Sequence, residues 1–98
     1  MTEQQISNRG LEASQILNSV AYTEAMQLLR ESIVAKWKEV SLRDKEGQVL
    51  TLQLMRLADT FEGILAGMVE SGKLAQHQIN IDNERNESTG RRIMRRVL

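Results

Sequence analysis

DKEGQVLTLQLMRLADTFEGILAGMVESG, residues 44–72, places Leu50, Leu54, Leu57, Phe61, Ile64 and Met68 at alternating steps of four and three. That spacing keeps six large apolar side chains on one stripe of an α-helix for nearly three heptads. Asp44 stands where a carboxylate can accept hydrogen bonds from the free amides of a first turn, and Glu46 adds favourable charge at the same end. Gly72 reads as a C-cap, because glycine enters the left-handed conformation without strain. The stretch therefore predicts a helix from about Asp44 to Ser71.

Upstream, Tyr22, Met26, Leu29, Ile33, Trp37 and Val40 recur at helical spacing, with Arg30, Glu31, Lys36, Lys38 and Glu39 mostly opposite. This predicts an amphipathic helix over 21–40. The link SLRD, residues 41–44, is short enough to force the two helices antiparallel, as a hairpin zipped by the two stripes. A further helix over 3–18 carries Ile6, Ala13, Leu17 and Val20 on one side, with Gly10 on the same stripe. There the glycine weakens the helix but permits close approach of a neighbour. The expected fold is all-α: an antiparallel helical hairpin, an additional N-terminal helix, and a flexible linker leading to a short amphipathic C-terminal helix. In domain terms these are a helical domain over 1–75, a polar linker over 76–89 and a basic tail over 90–98.

Composition agrees. Proline and cysteine are absent, aromatics number three, and good helix formers are plentiful. The lack of cysteine removes disulfides and thiolate metal sites. No apolar run reaches the roughly 18 residues needed to span a bilayer. MTEQQISNRG, residues 1–10, lacks the basic-then-apolar order of a signal peptide. At 98 residues the core is modest, and a partner chain commonly supplies the missing burial.

The apolar surface exceeds what one neighbouring helix covers. Leu52, Met55, Leu65 and Val69 lie off the main stripe. Gly63 and Gly67, with Ala58 and Ala66, make the same stretch small, which favours close packing of another helix. Either the first helix covers Leu65 and Val69, or these positions form a second contact face. The reading adopted is self-association through Leu52, Met55, Gly63, Leu65, Gly67 and Val69.

No constellation supports catalysis. His77 is the sole histidine and stands in a polar segment. The glycines are dispersed rather than gathered into a phosphate-binding loop. Asp82, Glu84 and Glu87 lack the glycine and the frame of a calcium loop and read as a solvated acidic stretch. The expectation is a protein that is not an enzyme, with no catalytic residue, no metal ligand and no cofactor.

The charge is segregated. Residues 1–90 hold nine Lys/Arg against thirteen Asp/Glu, and the last eight residues hold four arginines and no acid. In GRRIMRRVL, residues 90–98, Ile93, Met94, Val97 and Leu98 form one helical stripe, and Arg91, Arg92, Arg95 and Arg96 form the other. Ser88 or Thr89 is a fitting cap. A segment this short is not stable as an isolated helix in water, so it should order on docking. A protein groove uses both stripes, with acids at its rim meeting the arginines in forked contacts. An acidic face of another copy, or of this body, would satisfy the charge. Nucleic acid would engage the arginines alone, two turns anchor only weakly on a membrane, and a solvated tail needs no partner. The choice here is a partner protein held by residues 91–98.

Arg9-Gly10 followed by Ala13 and Ile16-Leu17, a helix closing on Trp37, then RDKEG (43–47) opening a leucine-rich helix that ends ESGKLA (70–75), resembles a group of small helical proteins encoded among tailed-bacteriophage structural genes. The resemblance covers about residues 9–75 and stops short of the arginine tail. It implies a virion or assembly role in several copies, as a connector-associated, internal or scaffold-like protein of the virion or host cytoplasm. It carries over no catalytic residues. The expected partners are other copies of the chain and a larger structural protein of the particle, with no membrane. The alternatives are a nucleic-acid-binding accessory protein and a small inhibitor of a host enzyme.

Overall fold

The computed structural model describes the backbone of residues 1–97 and the side chains of these except 88, 89 and 91–97. It is all-α, with α1 over Glu3–Leu17, α2 over Val20–Glu39 and α3 over Lys45–Val97. Each start has a side-chain cap. Thr2 accepts from the Gln5 amide while the Gln5 side chain accepts from the Thr2 amide, a reciprocal capping box. Ser19 Oγ accepts from the Tyr22 amide at 3.3 Å. Asp44 Oδ1 accepts from the Gly47 amide at 3.0 Å, the role its position predicts. Asn18-Ser19 separates α1 from α2 without a proline: the Asn18 amide returns to Ser14 and the next helix is capped at once. The second connection is pinned by the Asp44 amide on the Ser41 carbonyl at 3.0 Å and by the Gln48 side chain on the same carbonyl at 3.2 Å.

α1 and α2 lie one after the other along α3, each running against its direction. Ser7 of α1 reaches Gln76 and Gly10 meets Gly72. Arg30 of α2 reaches Asp59 and Glu62, and Val34 and Trp37 share a groove with Val49, Leu52 and Met55. At about 1.5 Å per residue, α3 accounts for nearly all of the longest dimension, 83 Å, the other two being 26 and 15 Å. The protein is thus a ribbon two helices wide and hardly more than one helix thick. Its radius of gyration is 22.9 Å, where a compact domain of this length has about 13 Å.

Such a ribbon has no interior beyond the line where the helices touch. Along α3 the buried positions are Thr51, Ala58, Leu65 and Gly72, seven residues apart, with Ala75. Opposite them lie Ser7, Gly10 and Ala13 of α1 and Met26 and Ile33 of α2. The Thr51 hydroxyl is satisfied by donation to the Gly47 and Gln48 carbonyls. Most of these residues are small, and small residues let helix axes approach closely.

α3 differs from expectation at its far end. It does not stop at Ser71, and the same helix continues through 76–89, where a linker is expected. Gly72 keeps right-handed helical backbone and serves as a contact point instead of a C-cap. The reason is packing. α1 lies against Gly72 and its neighbours, Ser7 Oγ donates to Gln76 Oε1 at 2.9 Å, and the Gln76 and Gln78 side-chain amides donate to Asn80 and Asp82 one turn on. Tertiary contact overrides the local stop signal, and α1 covers α3 around Met68, Gly72 and Gln76 from within the same chain.

Candidate self-association surface

The large stripe of α3 is not the stripe that α2 occupies. Leu50, Leu57 and Ile64 are 57%, 64% and 58% exposed, and Phe61 is half exposed, whereas Ala58 and Leu65 are 4% and 8% exposed. The helix is rotated by about one residue from the expected orientation. The small seam faces α1 and α2, and the large apolar side chains stand on its flank. This follows from the helix-to-helix distance: Thr51, Ala58 and Gly72 permit a closer contact, which buries more backbone than Leu-against-Leu packing would.

The result is a groove on each face of the ribbon. One is lined by Leu29, Ile33, Leu54, Leu57, Ala58 and Phe61. The other is lined by Val34, Trp37, Val49, Thr51, Leu52 and Met55. Leu52 and Leu54, two residues apart on a helix, point about 160° apart, which assigns the grooves to opposite faces.

Charge separates the two faces. Arg30 donates to Glu62 at 2.6 Å and to Asp59 at 3.0 Å, both on the Leu52 side of α3. Hydrogen bonds to Glu62 first and Asp59 second push the guanidinium pKa above its ordinary value. No comparable ion pair between α2 and α3 appears on the Leu54–Phe61 face among the described residues.

The expected self-association residues are divided by the structure. Leu52 is exposed and Met55 half-buried in the second groove. Gly63 and Gly67 are exposed, and an added Cβ at either would meet nothing within 4 Å. Leu65 belongs to the intrachain core, and Val69 is half-buried against α1. The side chains of Arg91, Arg92, Ile93, Met94, Arg95, Arg96 and Val97, and all of Leu98, lie outside the described residues. What sequence reasoning missed is the small seam itself. Its signal was present, since Thr51, Ala58, Leu65 and Gly72 repeat every seven residues beside the larger leucine repeat.

At the junction of α1, α2 and α3, the Tyr22 ring packs on Phe61 with centroids 6.4 Å apart and a tilt of 44°. Its hydroxyl is buried without a hydrogen-bond partner. Among the described residues no cluster of three or more His, Cys, Asp or Glu is placed to hold a metal ion. No helix among them is long and apolar enough to cross a membrane. No family model, curated protein or solved structure matches the chain.

Proposed function

We propose that this chain is a non-enzymatic structural or assembly protein of a phage-type particle, working as a multimer in the virion or host cytoplasm. In this reading the helical hairpin of α2 and α3 is the unit that self-associates. The basic C-terminal segment, residues 91–98, grips a larger structural protein of the particle.

One observation carries the reading: the accessible surface is larger than a compact monomer of this mass exposes. The accessible area is 8120 Å², where a folded monomer of this mass has about 5,700 Å². The excess, about 2,400 Å² per chain, is of the order that obligate oligomers bury. Part of it is the polar end of α3. The rest includes Leu28, Leu29, Trp37, Leu50, Leu52, Leu57, Phe61 and Ile64, none less than 46% exposed. Apolar area of that extent is a standing drive to associate, at about 25 cal/mol per Å² removed from water.

Sedimentation of the full-length chain tests it. A mass at a multiple of 11.2 kDa at micromolar concentration is expected. A single-copy species would remove the proposal. For the tail, the full chain should co-purify with a particle protein that a chain ending at Thr89 loses. Retention by the shortened chain would place the contact elsewhere.

A further inference from the structure

α3 carries two parallel seams, and its own chain fills only one. The filled seam is Thr51, Ala58, Leu65 and Gly72 against α1 and α2. The second is Leu50, Leu54, Leu57, Phe61, Ile64 and Met68, spaced four, three, four, three and four. That is the a/d spacing of a coiled coil, whose knobs require holes on a facing helix of matching 3.5-residue period. Leu50, Leu57 and Ile64 remain more than half exposed within the chain.

We propose that this second seam joins α3 to α3 of a second copy about a twofold axis, with Leu29 of α2 at the edge of the interface. The inference rests on the multimeric reading above and assigns it a surface.

Three observations select a second copy as the occupant. The first is period. Of the three helices, α3 carries the unfilled 3.5-residue stripe, and a twofold contact pairs that stripe with itself. The second is charge. On the side away from α2 the seam is bordered by Gln53, Thr60 and Gly67, all uncharged, so two copies meet without like-charge opposition. Asp59 and Glu62 are held by Arg30 on the other flank. The third is area. Leu50, Leu57, Phe61 and Ile64 are each at least half exposed, on a chain whose surface exceeds the compact value by about 2,400 Å² with only part of that excess at the polar end of α3, and obligate dimers bury apolar surface of this kind. The opposite groove, lined by Trp37 and Leu52, is flanked by that ion-pair cluster and has no heptad continuation past Asp59, which makes it the poorer dimer face.

The test compares the two faces in the full chain by sedimentation. Leu57→Asp with Ile64→Asp should leave a single-copy species of retained helical content. Trp37→Asp with Leu52→Asp should stay associated. Association unaffected by the seam pair, or abolished only by the Trp37/Leu52 pair, overturns the inference while leaving the multimeric reading intact. A single-copy wild-type chain overturns both. Should the seam variant lose its helix signal, Leu57→Cys decides. The chain is otherwise free of cysteine, and position 57 lies on the seam itself, two residues from its midpoint, so either helix direction brings the two thiols within reach of each other. Capture of a covalent dimer by a short bismaleimide in dilute solution is the expected result, and its failure sinks the proposal.

Discussion

Gly10 and Gly72 meet backbone to backbone where α1 crosses α3. A Cβ built on Gly10 would lie 2.7 Å from the Gly72 Cα and 2.9 Å from the Met68 carbonyl oxygen. One built on Gly72 would lie 2.8 Å from the Gly10 Cα. Both neighbours are main chain, so neither can swing aside. In an exposed helix interior, glycine to alanine gains about 0.5–1 kcal/mol. Here the added methyl must push two helices apart, and overpacking of that kind costs about 1–3 kcal/mol. Gly72→Ala and Gly10→Ala should each lower the thermal midpoint. Gly63→Ala, which meets nothing within 4 Å, should raise it. If all three raise it, α1 is not seated on α3 as described.

Tyr22→Phe should be neutral or stabilising. The hydroxyl is buried and unpartnered, so removing it deletes a desolvation penalty of about 1–3 kcal/mol while leaving the ring against Phe61. Urea denaturation reads the change directly. A clear loss of stability on Tyr22→Phe would mean that the hydroxyl has a partner.

The ion pair of Arg30 with Glu62 and Asp59 links α2 to α3 across one face. Its guanidinium pKa is raised, so its contribution is complete below the ordinary arginine value and decays only as pH climbs beyond the raised one. The whole neutral range should therefore show no pH dependence from this group. Salt is the sensitive variable, because partly exposed pairs are screened. The gap in urea midpoint between wild type and Arg30→Gln should narrow between low and molar salt. A gap independent of salt would assign the effect to packing of the arginine stem.

Asp44→Ala should cost about 1 kcal/mol, since it leaves the Gly47 amide without its cap at the start of α3. Asp44→Asn should recover most of that loss, because the amide oxygen can accept the same bond. The pair of urea midpoints separates capping from charge, and equal losses for both variants would assign the effect to charge alone.

The parts of the fold legible in the sequence are those that local chemistry decides. The all-α class, the cap at Asp44 and the close approach at Gly10 follow from residue type and spacing. Which stripe of α3 turns inward did not follow. Two stripes one residue apart, Leu50-Leu57-Ile64 and Thr51-Ala58-Leu65, both satisfy a heptad, and the choice depends on how closely a second helix can approach. Gly72 was ambiguous for a similar reason, since a glycine after an apolar run marks a C-cap or a crossing equally well. Only the presence of α1 across it selects the crossing. The candidate surface was legible as an excess of apolar positions, and its division into two faces needed the rotation of α3.

That rotation gives a prediction in which stability depends on protein concentration. Leu65 is buried within the chain, so Leu65→Ala should cost about 2–5 kcal/mol at any concentration. Leu57 is 64% exposed within the chain, and Leu57→Ala on a free copy should cost within about 0.5 kcal/mol, as surface changes do. If its stripe is covered in the multimer, the cost must grow as concentration rises and association adds to wild-type stability by mass action. Thermal scans across a hundredfold dilution should show the wild-type midpoint falling, the Leu57→Ala midpoint falling less, and the two converging at the dilute end. Leu65→Ala should stay displaced below the wild type even at the dilute end. A wild-type midpoint unmoved by dilution would mean that the apolar flank of α3 faces water in the working protein.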